Sequence, residues 1–140
     1  MTSSQKKPLF NCLHANVVAR DDIGILILGC AGSGKSYLSY LLIKNKDFSL
    51  VADDLVICSY QQGGIMARLP NAEFAGKLYL DGQLIENLSY KESQLLTHVI
   101  NLDQNYTEAA FFELYGFQLP MMAVDFWLIN KQHQYGCHRA

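Results

Sequence analysis

The spacing of apolar residues in the first half of the chain predicts a strand, a helix and a second strand. Residues 25–28 form a continuous β-favouring run, typical of a strand buried on both faces, and the run stops at Gly29. Between Lys35 and Lys46, leucines recur at helical spacing and lysines occupy the last turn, where the helix dipole favours cations. The segment FSLVADD then predicts a strand that ends in two carboxylates.

The remaining pattern predicts more strands than helices. LFNCLHANVVA alternates loosely as one strand, while LVICSY and IMARLP predict a hairpin with Gly63 and Gly64 in its turn. In the second half, KLYL, LLTHVINL, AFFELYGF and MMAVDFWL are typical of strands, with a loop at LDQNYTE. Residues 1–8 are mostly polar and predict a flexible tail. We therefore expect a mixed α/β fold with a strand-rich second half.

Length and charge narrow the classes of function. A chain of 140 residues, 50% of them apolar, suits one domain, which we expect over residues 1–140. The formal net charge of −2 provides no basic field for nucleic acid, and no apolar run reaches the roughly 20 residues that a membrane span needs. Four scattered cysteines without a CxxC pair, and the lack of a charged-then-apolar leader, predict a cytoplasmic protein.

The stretch GCAGSGKS carries the strongest chemical signal. Its spacing is GxxxxGKS between a predicted buried strand and a predicted helix, as a P-loop requires. The glycines allow backbone N–H groups to turn around phosphate oxygens, Lys35 would pair with the β and γ phosphates of ATP, and the Ser36 hydroxyl would bind Mg²⁺. The alternative is a tight strand-to-helix turn with an incidental lysine. The residues predicted to hold the nucleotide are Gly29, Cys30, Ala31, Gly32, Ser33, Gly34, Lys35, Ser36 and Tyr37.

Two acids follow the next predicted strand. Most P-loop enzymes need a further carboxylate near the metal, and LVADD supplies Asp53 and Asp54. Because successive strand residues point to opposite sides, one carboxylate could face Mg²⁺ and the other the acceptor hydroxyl. The alternative is an acid pair that opens a turn before LVICSY. With the P-loop, these acids predict an α/β, P-loop kinase-like domain whose mixed, strand-rich sheet packs on the P-loop helix.

These motifs together resemble a known family. CLHANVVA with His14, then GCAGSGKS, then LVADD, in that order and at close to these intervals, resemble the catalytic domain of HPr kinase/phosphorylase, which phosphorylates a serine of the phosphocarrier protein HPr. The brevity of the chain is similar to the short proteobacterial form of the family. ARLPNAEFAGKLYLDG and ELYGFQLPMMAVDF also resemble later segments, so the resemblance extends from about Cys12 to Phe126.

The resemblance implies roles for individual side chains. The residue matching Asp53 acts as general base when the HPr serine attacks ATP, and as general acid in the reverse, phosphate-driven reaction. The residue matching His14 supports this acid beside the phosphate site, and the one matching Asp54 lies with the metal, as Ser36 does. For His14, the alternative is a histidine whose hydrogen bonds are satisfied on a half-buried strand. The resemblance also implies ATP and Mg²⁺ as cofactors, an HPr-like phosphocarrier as partner, and a hexamer in which neighbouring subunits help to form the site.

The chain departs from the family pattern at three positions. The family carries an acid directly after GKS, where Tyr37 stands, and a Glu-x-Arg-Gly-like stretch that aligns with YLDGQL. Tyr79 and Asp81 therefore occupy the positions of the expected Glu and Arg. Because an arginine near the transferring phosphate neutralises charge in the transition state, another cation would have to replace it. Lys77, Arg68 and Lys131 are the candidates.

Features near the C-terminus give weaker signals. His133, Cys137 and His138 could belong to a metal site, but no further cluster completes four ligands, so we expect an exposed tail. Phe126 and Trp127 predict core or oligomer surface.

Three hypotheses of function follow from the sequence. The first is an ATP- and Mg²⁺-dependent serine kinase/phosphorylase of the HPr type. The second is a P-loop kinase of a small metabolite. The third, suggested by Tyr79 and Asp81, is a nucleotide-binding regulatory module without turnover.

Overall fold

The computed structural model of the chain describes residues 10–61, 63–103 and 110–123. The elements within these ranges are β1 (Phe10–Leu13), β2 (Asn16–Arg20), β3 (Ile23–Leu28), α1 (Lys35–Lys46), β4 (Ser49–Ala52), β5 (Val56–Gln61), β6 (Gly64–Arg68), a 3₁₀ turn (Ala72–Phe74), β7 (Leu78–Leu80), β8 (Gln83–Ile85), β9 (Ser93–Leu95), β10 (His98–Asn101), β11 (Ala110–Leu114) and β12 (Phe117–Met121). The strands form a six-stranded sheet in the order β11-β12-β10-β3-β2-β4, a four-stranded sheet in the order β1-β5-β6-β9, and a β7-β8 hairpin.

The strand before the glycine-rich loop is an inner strand of the larger sheet. β3 pairs in parallel with β10 and antiparallel with β2. Ile25, Leu26 and Ile27 are fully buried, which confirms the prediction of a strand covered on both faces. Since β3 and β10 run in parallel, the loops that follow them leave the sheet at the same edge.

Alternating side chains divide the core into two layers. On one face of the larger sheet, Leu26, Val17 and Val99 pack against Cys58, Ile65 and other apolar side chains of the smaller sheet. On the opposite face, Ile25, Ile27 and Ile100 pack against Leu38 and Leu42 of α1. The larger sheet is therefore the middle layer of the described fold, with the helix on one side and the smaller sheet on the other.

The helix begins and ends at the predicted residues, Lys35 and Lys46. Its N-terminus follows Gly34, which has a φ of 105° that favours glycine. Its C-terminus is closed by a hydrogen bond from the Phe48 N–H to the Leu42 carbonyl and by the Arg20 guanidinium, which donates to the Lys46 carbonyl at 2.7 Å.

The region LFNCLHANVVA differs from the prediction of one strand. It forms two strands in different sheets, because β1 pairs with β5 whereas β2 pairs with β3 and β4. The chain passes from one sheet to the other at His14 and Ala15. This exchange depends on partners more than 30 positions away in the sequence, which the local pattern does not encode.

The predicted hairpin and the strand-rich second half are confirmed. β5 and β6 pair around a turn that includes Gly63, and β7 to β12 follow in the second half. The sequence analysis missed the β7-β8 hairpin, although Asp81 and Gly82 form its turn with φ values of 53° and 77°. An Asp-Gly pair with positive φ at both positions is typical of two-residue hairpin turns.

The edge strand β4 is covered by a short segment from later in the chain. The Leu50 N–H donates to the Ser89 carbonyl at 2.8 Å, and the Lys91 N–H donates to the Leu50 carbonyl at 3.0 Å. These bonds place Tyr90 in a parallel bridge with Leu50. The strand that leads to Asp53 is therefore paired on both sides at Leu50.

Some predictions concern residues outside the described ranges. They are the tail at 1–8, most of the loop LDQNYTE, the aromatic pair Phe126 and Trp127, and the cluster of His133, Cys137 and His138. Within the described part of the chain, no helix combines the length and the apolar character required to cross a membrane.

The layer between α1 and the sheet generates a prediction about stability. Leu42 is fully buried there, so Leu42→Ala is expected to lower the free energy of unfolding by about 2 to 5 kcal/mol. Leu84→Ala, at a 40% exposed leucine, is the matched control and should cost less than about 1 kcal/mol. Urea denaturation of both variants measures the difference, and equal midpoints would contradict this packing.

Candidate functional site

The glycine-rich loop closes tightly between β3 and α1. The Ser33 N–H donates to the Cys30 carbonyl at 3.0 Å, and the Leu38 N–H donates to the Gly34 carbonyl at 2.9 Å. A Cβ on Gly29 would collide with the Ser33 hydroxyl and crowd the Cβ atoms of Ser33 and Leu102, so a side chain here would force the loop to shift. The loop that the sequence predicts is therefore formed by the expected strand, turn and helix.

The Lys35 side chain folds back over this loop. Lys35 is buried, and its Nζ donates to the Gly29 carbonyl at 2.6 Å and to the Cys30 carbonyl at 3.3 Å. The two carbonyls accept from two of the three N–H groups of the ammonium and hold it at the base of the loop.

Two further features make the loop suitable for an anion. The buried Ser33 Oγ has no hydrogen-bond partner among the described residues, and such an atom normally needs one. The first turn of α1 contains no acidic residue and no side-chain cap, so its free N–H groups and positive dipole end are not neutralised there. A phosphate oxygen has the charge and the acceptor capacity that both features require.

The two acids diverge immediately after β4. Asp53 turns toward the helix, where its Oδ1 accepts from Ser36 Oγ at 2.8 Å. Asp54 has a φ of 76°, and its 75% exposed side chain lies 4.0 Å from the Nδ1 of His14, which is 81% exposed. The acids are therefore separated by a left-handed turn, and not by strand alternation, because β4 already ends at Ala52.

The structure brings some of the predicted residues together and leaves others apart. Lys35, Ser36 and Asp53 line one cleft, and Ser36 bonds directly to Asp53. His14 lies 4.0 Å from Asp54 and is not among the residues that line the cleft.

Asn16 is a part of this site that the sequence analysis missed. It is fully buried, and its Nδ2 donates to Asp53 Oδ1 at 2.9 Å and to Ser39 Oγ at 3.0 Å. Its Oδ1 accepts from the Asp54 N–H at 2.9 Å. A polar residue between Ala15 and Val17 in an otherwise buried strand was the available signal.

A cleft of about 900 Å³ opens in front of the loop and the acids. The β7-β8 hairpin forms its opposite wall, where the Tyr79 N–H donates to Asp53 Oδ2 at 3.0 Å. The cleft is lined by Asn16, Ala31, Gly32, Gly34, Lys35, Ser36, Tyr37, Asp53, Asp54, Leu55, Leu69, Pro70, Glu73, Phe74, Lys77, Tyr79, Leu80, Asp81 and Leu84. It is large enough for a nucleotide and part of an acceptor.

The three departures from the family pattern all line this cleft. They are Tyr37, Tyr79 and Asp81. Of the candidate replacement cations, Lys77 also lines the cleft, whereas Arg68 lines a separate, smaller cavity with Glu92. Lys131 lies outside the described residues.

Asp103 is a second residue that the sequence analysis missed. It follows β10, and its Oδ2 accepts from the Cys30 N–H at 2.9 Å while its Oδ1 lies 3.4 Å from Cys30 Sγ. The parallel pairing of β10 with β3 brings this carboxylate to the loop. Asp103 therefore fixes the start of the glycine-rich segment.

The described cysteines differ in their environments. Cys12 and Cys30 are exposed, whereas Cys58 is buried between the two sheets. Burial, with a smaller contribution from Cys12, raises the pKa of the Cys58 thiol to about 12. Cys58 is therefore a neutral thiol at physiological pH.

Comparisons with known proteins identify relatives of the chain. No protein-family model matches it. The HPr kinase/phosphorylase of Malacoplasma penetrans (strain HF-2) is 33% identical over 111 residues, covering 74% of this chain and 36% of that protein. The structure of the Hpr(Ser) kinase/phosphatase from Coxiella burnetii matches with a TM-score of 0.70 at 19% identity, covering 92% of this chain and 94% of that chain.

The comparisons confirm the predicted resemblance and the predicted fold class. The chain is a relative of the HPr kinase/phosphorylases in sequence, and it has the α/β, kinase-like fold of the Coxiella protein. It spans about a third of the length of the curated relative that it matches.

The contrast among the thiols generates a prediction. Iodoacetamide at pH 8 should modify Cys12 and Cys30 in the folded protein, because both are exposed, and should leave Cys58 unmodified until urea unfolds the chain. Peptide mapping by mass spectrometry assigns each modified thiol. Labelling of Cys58 in the folded protein at the rate of Cys12 would contradict its burial.

Proposed function

We propose that this chain is an ATP- and Mg²⁺-dependent serine kinase/phosphorylase of the HPr type. The observation that carries the proposal is the hydrogen bond of 2.8 Å between Ser36 Oγ and Asp53 Oδ1, which joins a phosphate-binding loop to a carboxylate in one cleft. The relationship to HPr kinase/phosphorylases supports the class of reaction. Phosphoryl transfer from nucleotide to a protein serine needs this combination of loop and acid.

The nucleotide phosphates are assigned to the glycine-rich loop. Backbone N–H groups of residues 31, 32 and 34–37, the ammonium group of Lys35 and the free end of α1 supply positive charge and donors, while the N–H groups of Cys30 and Ser33 are bonded within the protein. Tyr37 is 57% exposed at the start of the helix and borders the same phosphates.

Ser36 and Asp54 are the proposed protein ligands of Mg²⁺. Magnesium is typically held in kinases by one or two protein oxygens together with substrate phosphates, and both residues line the cleft. When bound, the ion neutralises charge on the phosphates. The Ser36 hydroxyl donates a hydrogen bond to Asp53, so the lone pairs of the Ser36 oxygen remain available for a metal.

Asp53 is the proposed general base. Its carboxylate accepts hydrogen bonds from Ser36, Asn16 and the Tyr79 N–H, which use three of about four acceptor positions. The fourth is available to an acceptor hydroxyl. In the forward step the serine oxygen bonds to the γ-phosphorus, its proton passes to Asp53, and the bond from that phosphorus to the leaving ADP oxygen breaks. His14, beside Asp54, supports the acids from the outer margin.

An HPr-like phosphocarrier is the proposed acceptor, and a hexamer remains a prediction from the family. Lys77 is the proposed replacement for the arginine that the family pattern leads us to expect, because it is a cation that lines the cleft.

A nucleotide-binding module without turnover is the second candidate function. Asp81 favours it, because a carboxylate in the cleft repels the charge that develops on a transferring phosphate. A kinase of a small metabolite uses the same site, and only its acceptor differs.

Nucleotide binding is tested by removing the ammonium group from the loop. Lys35→Met should weaken the binding of ADP with Mg²⁺ by about tenfold or more, since the charge that faces the phosphates is lost. Lys44→Met, at an exposed lysine of the same helix, is the matched control and should keep the affinity within about twofold. Isothermal titration measures both, and unchanged affinity in Lys35→Met would refute nucleotide binding at this loop.

Turnover is tested at the acid. Asp53→Asn should lower phosphoryl transfer from ATP to an HPr-like carrier by about a hundredfold or more, because the side chain can no longer take the serine proton. Asp22→Asn, at an exposed acid outside the cleft, should leave the rate unchanged.

Radiolabelled ATP distinguishes the candidate functions. Transfer to the carrier supports the kinase, whereas ATP consumption that requires a small hydroxylated compound assigns a metabolite kinase. Tight nucleotide binding without any transfer assigns the regulatory module.

A further inference from the structure

The buried amide of Asn16 connects both acids to the helix. Asn16 is fully buried on β2, at the register position opposite Ile27, and its side chain points toward α1 and the end of β4. Its two N–H groups have one acceptor each, Asp53 Oδ1 and Ser39 Oγ, and its carbonyl oxygen accepts from the Asp54 N–H. The Ser39 hydroxyl in turn donates to the Lys35 carbonyl at 2.8 Å.

These partners allow one orientation of the Asn16 amide. The Asp54 N–H can only donate, so the amide oxygen must face it, and the Asp53 carboxylate can only accept, so the amide nitrogen must face that group. A rotated amide would lose both bonds and place two oxygens against each other. The geometry of the site therefore specifies asparagine, since aspartate lacks the donor and leucine lacks both functions.

The position of Asp53 depends on this amide. Asn16 and Ser36 donate to the same oxygen, Oδ1, at 2.9 and 2.8 Å, and the other oxygen accepts from the Tyr79 N–H at 3.0 Å. All three donors line the cleft, but Asn16 is fully buried, whereas Ser36 is partly and Tyr79 largely exposed. Asn16 is therefore the donor least accessible to a bound ligand.

The same amide also holds the turn that separates the acids. Asp54 has a φ of 76°, a left-handed conformation that residues other than glycine adopt less readily. The bond from the Asp54 N–H to Asn16 Oδ1 compensates for this conformation. Without it, the turn that directs Asp53 inward and Asp54 outward loses its anchor.

We propose that Asn16 is a positioning residue, which holds the Asp53 carboxylate against Ser36 and fixes the backbone turn between the two acids. The functional part of this inference rests on the proposed function, because Asp53 is there assigned to the reacting hydroxyl. The geometric part does not, since it concerns hydrogen bonds in the protein without a ligand.

The geometric part is tested by amide hydrogen exchange in the nucleotide-free protein. Asn16→Leu, which keeps the approximate volume, should speed exchange at the Asp54 amide and also at the Tyr79 amide by about tenfold or more, the latter through the released Asp53 carboxylate. Ser39→Ala is the matched control, because it removes another partner of the same amide and leaves the bonds to Asp53 and Asp54 in place. It should leave both exchange rates within about twofold.

The functional part is tested by separating transfer from binding. In Asn16→Leu we expect the rate of transfer to an HPr-like carrier at saturating ATP to fall about tenfold or more, with ADP affinity within about threefold of wild type. A merely structural role would lower both through loss of folded protein, and thermal unfolding of each variant measures that loss. Should Asn16→Leu fail to fold, Asn16→Ala carries the test, because it removes the donor to Asp53 and the acceptor for the Asp54 amide without adding a charge.

The outcomes separate this inference from the proposed function. Wild-type protein that transfers phosphate, together with Asn16 variants whose transfer rate and Tyr79 exchange match wild type, overturns the positioning role. Wild-type protein without transfer, but with faster Tyr79 exchange in the Asn16 variants, refutes the kinase and supports the geometric role of Asn16.

Discussion

The carboxylate of Asp53 is the point at which the parts of the site meet. Its three hydrogen bonds come from β2, from the start of α1 and from β7, while Asp53 itself directly follows β4. Four segments that are distant in the sequence thus share one acidic group of two oxygens. The Asp53 carboxylate is fully hydrogen-bonded only when all three donors are in place. Its hydrogen bonds therefore couple the positions of the glycine-rich loop, the two acids and the β7-β8 hairpin.

The two-layered core places these segments. The helix α1 packs on one face of the larger sheet. The loop between β3 and α1 therefore leaves the sheet at the end of β3 and turns back so that α1 lies over that face. β2 lies between β3 and β4, which carries Asn16 to a position between the loop and the acids. The parallel neighbour β10 brings Asp103 under Cys30 from the other side. The larger sheet therefore positions the segments of the candidate site, and the loops that follow its strands carry most of the polar groups of that site.

Local signals were sufficient for the loop and the helix. The spacing of GCAGSGKS and the apolar periodicity after it define elements whose partners are close in sequence, and the helix bounds agree at both ends. The division of LFNCLHANVVA between two sheets could not be predicted, because the first half pairs with the distant strand β5, whereas the second half pairs with its sequence neighbour β3 and with β4. The role of Asn16 was hidden for the same reason, since Asp53 lies 37 positions away. The β7-β8 hairpin is different, because the Asp-Gly pair at residues 81 and 82 is a local signal for its turn. The sequence analysis assigned these residues to a family signature instead.

The segment around Tyr90 has a further consequence for how the protein behaves among copies of itself. An unpaired edge strand offers a row of free amide and carbonyl groups to any neighbouring chain and is a common origin of aggregation. At Leu50 that row is already occupied on its outer side by the main chain of Ser89 and Lys91. The strand that carries the chain to its acids is thereby shielded from adventitious β-pairing at Leu50.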